Sequence, residues 1–117
     1  MLRSLTGIEA DLDLDLPDEV SYEIKSLVFR QVIEAITNVE RHSGATRVKV
    51  SIKAEDSGIH GLVSDNGRGF VVEERDHLPG HLGLLSLNER ALLAGGWCKI
   101  SSEPGQGTEI EFWIPTP

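Results

Sequence analysis

The segment Ile59-His60-Gly61-Leu62-Val63-Ser64-Asp65-Asn66-Gly67-Arg68-Gly69-Phe70 runs an apolar strand into a single aspartate, then into glycines on alternate positions. Strand side chains alternate between faces, so Ile59, Gly61, Val63 and Asp65 point the same way and the carboxylate sits among core residues. A charge held away from water needs a partner. Glycines let the backbone turn sharply or lie close against a ligand. The segment therefore asks for a hydrogen-bond donor on Asp65 and for a body resting on bare main chain.

Around that segment stands a chain of 117 residues, enough for one domain with a real core and too short for two, so residues 1–117 are read as a single unit. Hydrophobic residues make up 39% and charged residues 26%, the balance of a globular protein. No apolar run approaches the length of a membrane span, and no signal peptide precedes the fold. Cys98 is the sole cysteine, which excludes a disulfide framework and a cysteine-based metal site. These features point to a reduced, cytoplasmic domain without membrane contact. The net charge of −8 argues against a nucleic-acid surface. Residues 1–23 carry seven acids against Arg3, a net of −6, so the remainder is close to balance and could still gather an anionic ligand.

Upstream, Asp11-Leu12-Asp13-Leu14-Asp15-Leu16 alternates perfectly and reads as a strand burying Leu12, Leu14 and Leu16, with three aspartates on a solvated side. Residues 1–10 read as a frayed or linker-like start, or as the tail of an upstream element. Pro17 ends the strand, and Asp18 is placed to cap a long helix reaching about Ser43. Ile24, Leu27, Val28, Val32, Ala35, Ile36 and Val39 form its apolar stripe. Glu34, Asn38 and Arg41 make a polar row at the edge of that stripe, and Gly44 stops the helix. Thr46 to Ala54 alternates again, and Glu55-Asp56-Ser57-Gly58 is a hairpin turn into the opening segment. Downstream, residues 66–82 show no period, and a loop of that length in a compact domain is usually functional or disordered. Gly83 to Ala94 reads as a second helix, stopped by Gly95-Gly96. Two last strands follow, burying Cys98 and Ile100, then Thr108, Ile110, Phe112 and Ile114. The fold class is α+β, a two-layer α/β sandwich with a mixed sheet and its helices on one face.

Four segments, taken in order, resemble the boxes of the GHKL ATPase superfamily. Glu34 to Ala45 (Glu-Ala-Ile-Thr-Asn-Val-Glu-Arg-His-Ser-Gly-Ala) is similar to its asparagine-containing box, and Asp65-Asn66-Gly67-Arg68-Gly69-Phe70 to its aspartate-glycine box. Gly80-His81-Leu82-Gly83-Leu84 resembles the passage from the flexible lid into a helix, and Gly105-Gln106-Gly107-Thr108 the last box. The short lid and Asn88-Glu89-Arg90 look like the catalytic domains of two-component sensor histidine kinases, in the subgroup paired with helix-turn-helix response regulators. Any one box is weak. Four in order and spacing over Leu12 to Pro115 are specific.

The resemblance implies a Bergerat-type ATP-binding fold with residues 66–82 as the ATP lid. It implies ATP and Mg²⁺ as cofactors, with Asp65 accepting from the adenine amine and Thr108 bonding near the base. It implies Asn38 as a ligand of Mg²⁺, and Glu34 as the residue orienting the metal's water shell or a water near the γ-phosphate. Arg41, His42 and His81 would reach the phosphates. Gly67, Gly69, Phe70, Gly83, Leu84 and Gly107 would complete the nucleotide site. The family's phosphoacceptor histidine lies on a separate upstream dimerisation domain, and only ten residues precede the first strand here, none of them histidine. The reading is therefore of one domain from a longer sensor protein, acting indirectly on a response regulator and contacting no nucleic acid. Two other readings stay open. One is a serine-directed kinase of an anti-sigma-factor antagonist, the other a degenerate nucleotide-binding module. The lid lacks lysine, leaving Arg68, Arg75, His77 and His81 as its cations.

Overall fold

The computed structural model describes residues 2–5, 8–39, 44–68 and 82–116. Its elements run β1 (Leu2–Leu5), β2 (Ile8–Asp15), α1 (Tyr22–Asn38), β3 (Arg47–Glu55), β4 (Gly58–Asp65), α2 (Leu82–Leu93), β5 (Trp97–Ser102) and β6 (Thr108–Pro115). The strands form one six-stranded sheet in the order β1-β2-β3-β4-β6-β5. Among the described strands only β2 and β3 run parallel, and α1 provides the crossover that a parallel pair requires. Every other neighbouring pair is antiparallel, so the sheet is mixed as expected.

Alternation sets which face meets the helices. Val48, Val50 and Ile52 of β3 are buried, as are Ile59 and Val63 of β4 and Ile110, Phe112 and Ile114 of β6. On the helical side Val28, Val32 and Ala35 of α1 and Leu87 and Ala91 of α2 close the same core. Gly61 belongs to this layer for a specific reason. It pairs with Phe112, and a Cβ at that position would run into the Phe112 ring. The β3–β4 hairpin turns on Asp56 and Ser57, with φ of 53° and 61°, as a two-residue turn matched to the twist of its strands requires. At the end of α2, Gly95 takes φ of 85° and donates to the Leu92 carbonyl while Gly96 donates to that of Ala91, which satisfies carbonyls the helix leaves open.

Several boundaries differ from the sequence reading. Ser21, not Asp18, caps α1: its hydroxyl accepts from the Ile24 N–H at 3.3 Å. Residues 18–20 instead form a turn closed by Val20 N–H on the Pro17 carbonyl, so the helix starts three residues later. Strand structure also begins earlier than Asp11. Residues 2–5 pair with 8–11, and Ile8 and Ala10 are buried in the core. Leu14 is 51% exposed although it shares the face of Ile8 and Ala10. The partner strand β1 reaches only as far as Asp11, so Leu14 lies where β2 has become a free edge. Ala54, which the alternation would set on the buried face with Val48, Val50 and Ile52, is exposed beside the hairpin turn.

Candidate functional site

The end of β4 and the start of β6 meet side by side, with Asp65 paired to Thr108 across the sheet. The Asp65 carboxylate turns back on its own chain. Its Oδ1 accepts from the Gly67 N–H at 2.7 Å, a local turn that aspartate favours and glycine permits. The Thr108 backbone N–H donates to it as well. Burial nonetheless outweighs these two donors and pushes the Asp65 carboxyl above its ordinary value. An ionised carboxylate can accept about four hydrogen bonds. Two amides leave it with capacity for a further donor, and burial gives that donor value.

Gly107 explains why the last glycine cluster stands here. It holds φ of 78°, and a Cβ on it would collide with the carbonyl oxygen of Asp65. Only glycine lets the 105–108 turn lie this close to the end of β4. The same turn is pinned by the Ser102 hydroxyl, which donates to the Gly107 carbonyl at 3.0 Å and lies 2.9 Å from the Thr108 hydroxyl. Gly105 N–H reaches the Arg68 carbonyl, so the two glycine segments are joined by backbone. A cleft of about 750 Å³ opens at this end of the sheet, with Asp65, Ser102, Gln106, Gly107 and Thr108 on its wall.

Asn66 plays a part that its position in the sequence did not suggest. Its Oδ1 accepts from the N–H groups of both Thr46 and Arg47 at 3.0 Å, and its Nδ2 donates to the Thr46 hydroxyl at 3.0 Å. The side chain thus straps the aspartate-glycine segment to the start of β3. An asparagine between an aspartate and a glycine reads from sequence as a turn residue, and nothing local names its distant partners.

Glu34 and Asn38 lie one turn apart on α1, as the helical spacing requires. They do not line the cleft. Among the described residues, Asn38 Nδ2 is a buried side-chain nitrogen with no hydrogen-bond partner, and such orphans ask for an explanation. Glu34 is held by Arg90 of α2 through two bonds, Nη1 to Oε2 at 2.9 Å and Nη2 to Oε1 at 3.3 Å. Arg41, His42, Gly69, Phe70, Arg75, His77 and His81 lie outside the described residues, as does most of the 66–82 segment. Gly83 and Leu84 fall in the first turn of α2. His60, on the opposite sheet face from Asp65, pairs with Glu111 at 2.6 Å.

Residues 24–117 match the family described as histidine kinase-, DNA gyrase B- and HSP90-like ATPase. The chain belongs to that ATPase family. Its relatives include the sensor histidine kinase LiaS of Bacillus subtilis, 37% identical over 106 residues, which cover 90% of this chain and 29% of that protein. The sensor protein VraS of Staphylococcus aureus is also 37% identical, over 97% of this chain and 35% of its own length. The chain thus spans about a third of the curated relatives it matches. Among solved structures, the blue-light activated histidine kinase of Erythrobacter litoralis superposes with a TM-score of 0.78 at 21% identity, covering 96% of this chain and 36% of that one. The ATP binding domain of PrrB from Mycobacterium tuberculosis gives 0.70 at 24% identity, over 97% and 83%. At those identities the structures speak for the fold alone. This ATPase-family chain has the α+β architecture of histidine kinase ATP-binding domains, and its relatives are transferases. Among the described residues, no helix is long and apolar enough to cross a membrane.

Proposed function

We infer that this domain binds Mg-ATP and presents the γ-phosphate for transfer to a histidine on a separate dimerisation and phosphoacceptor domain. The wider setting is two-component signalling in the cytoplasm, where ATP is supplied, with a response regulator as the indirect partner. The observation that carries the reading is Asp65: a half-buried carboxylate, fixed by two backbone amides and bounded by Gly107, with capacity for one more donor. The exocyclic amine of adenine is such a donor. Thr108 is paired with Asp65 across the sheet. The bare backbone of Gly67 and Gly107 leaves room for a flat ring against main chain, and Gly69, Phe70 and Leu84 are the residues that the family resemblance assigns to the same pocket.

The phosphates would extend toward α1. Asn38 suits a hard cation, which prefers oxygen ligands and shares its shell with phosphates and water. Among the described residues no group of three histidines, cysteines or acids could hold a metal by itself, so a cation here would complete its shell from such sources. The orphaned Asn38 Nδ2 fits a neighbouring phosphate or water oxygen as acceptor, and its Oδ1 would supply the oxygen ligand to the cation. When bound, Mg²⁺ supplies charge neutralisation at the phosphate oxygens. Glu34, its oxygens each taking one bond from Arg90, keeps lone pairs to orient a water of that shell. Arg41, His42 and His81 serve the phosphates, helped by the N-terminus of α2 at Gly83.

Incubating the chain with γ-labelled ATP, Mg²⁺ and a phosphoacceptor helix domain tests this reading. We expect label on histidine, lost in Asn38→Ala. Label on serine would identify a serine-directed kinase instead, and nucleotide binding without any transfer would leave a binding module.

A further inference from the structure

Outside the proposed nucleotide contacts, a polar network joins α1 and α2. Gln31 of α1 is completely buried, and its amide is spent at both ends. Nε2 donates to the Leu87 carbonyl of α2 at 2.9 Å, and Oε1 accepts from Arg90 Nη1 at 2.7 Å. The same Nη1 donates to Glu34 Oε2, and Nη2 to Oε1. The Arg90 and Glu34 side chains are 21% and 30% exposed, so the pair is set into the helix interface rather than laid over it. Two parallel bonds between a guanidinium and a carboxylate fix direction as well as distance.

The geometry points to Arg90 as a positioning residue that aims the Glu34 carboxylate, with Gln31 as its anchor. This deepens the functional reading above and rests on the role given there to Glu34. Three observations separate positioning from plain helix-to-helix adhesion. A polar pair set part-way into an interface is a poor way to stabilise it, because apolar side chains of the same volume commonly do as well or better where charges lose water. Gln31 adds a fully buried polar group whose Oε1 bonds the same guanidinium nitrogen that holds Glu34. The fork of Arg90 is also turned toward α1, with Nη1 already shared by two acceptors, so the guanidinium acts on Glu34 rather than reaching outward for phosphate. An arginine is needed for this: a lysine ammonium could supply the charge but not the fork.

The test compares wild type, Arg90→Gln, Arg90→Lys, Glu34→Gln and the double variant Arg90→Gln/Glu34→Gln. Mg-ATP affinity is measured by calorimetry, and single-turnover transfer is followed to a phosphoacceptor helix domain. We expect Arg90→Gln to slow transfer by about ten- to a hundredfold while the Kd for Mg-ATP stays within about threefold. Arg90→Lys should fall between it and wild type, and the double variant should be no slower than Glu34→Gln alone. An Arg90→Gln chain transferring at the wild-type rate would overturn the proposal. So would a loss of affinity in step with rate, which marks a direct ligand, or a full additional loss on top of Glu34→Gln, which marks independent action. If Arg90→Gln does not fold, Arg90→Lys carries the rate and affinity comparisons in its place, and a wild-type rate there is again contradictory. Should Glu34→Gln transfer normally, the functional assignment of Glu34 fails, whereas failure of the Arg90 variants alone leaves that assignment standing.

Discussion

Gly105 and Gly107 sit two positions apart with nearly the same backbone, φ of 81° and 78°, yet their surroundings differ. Nothing lies within 4 Å of a Cβ placed on Gly105, while one on Gly107 meets the Asp65 carbonyl. Gly105→Ala should therefore cost only the left-handed backbone, about 1–2 kcal/mol in urea unfolding. Gly107→Ala adds a backbone collision and should cost at least about 3 kcal/mol, with loss of nucleotide binding. Equal costs would mean that the approach of the two segments is not what fixes Gly107. Asp65 itself makes a pH-dependent contribution. Its carboxyl is raised above the unfolded value, first by burial and against two amide bonds, so the folded state binds its proton more readily than the unfolded chain. Stability from this group is then greatest in acid and is lost as pH rises from the ordinary aspartate value through the folded one. Asp65→Asn, which stays uncharged, should melt higher than wild type at neutral pH, and the gap should close as the solution is acidified below the ordinary aspartate value. A gap that widens in acid would reverse the assignment.

Among the elements, α1 carries most of what the sequence could and could not say. Its apolar stripe was legible, because Val28, Val32 and Ala35 recur at helical spacing and are buried. Its start was not. Asp18 and Ser21 are both good capping residues, and the choice is made by the turn that Pro17 and Val20 close. Ser21→Ala should lower stability by about 1 kcal/mol, and Asp18→Ala should change it by less than about 0.5 kcal/mol. Thermal unfolding of the two variants checks this, and a reversed order would return the cap to Asp18. The partner of Glu34 was equally hidden. Arg90 lies 56 residues away on another helix, and periodicity assigns a residue to a face without saying which face it meets. Strand β1 escaped notice for a similar reason: Leu2-Arg3-Ser4-Leu5 has no alternation, and its strand structure comes from pairing with β2.

For the molecule as a whole, the sheet order brings together segments that the sequence keeps apart. Placing β6 directly beside β4 sets Thr108 against Asp65 and lets the 105–107 turn close over the aspartate-glycine segment. The motifs singled out Asp65, Gly107 and Thr108, and the structure brings these three together at that corner. They did not announce Asn66 as the strap to β3, because its bonds depend on strand adjacency. The family match and the relatives place the chain among histidine kinase-type ATPase domains, the architecture agrees with that fold, and the central proposal is that Asp65 holds the base. Isothermal titration calorimetry of Mg-ATP with wild type and Asp65→Ala tests that claim most directly. A hydrogen bond to a charged group is worth about 1.5–3 kcal/mol, so the variant should bind at least about tenfold more weakly than wild type. Equal affinity in the two proteins would contradict the account.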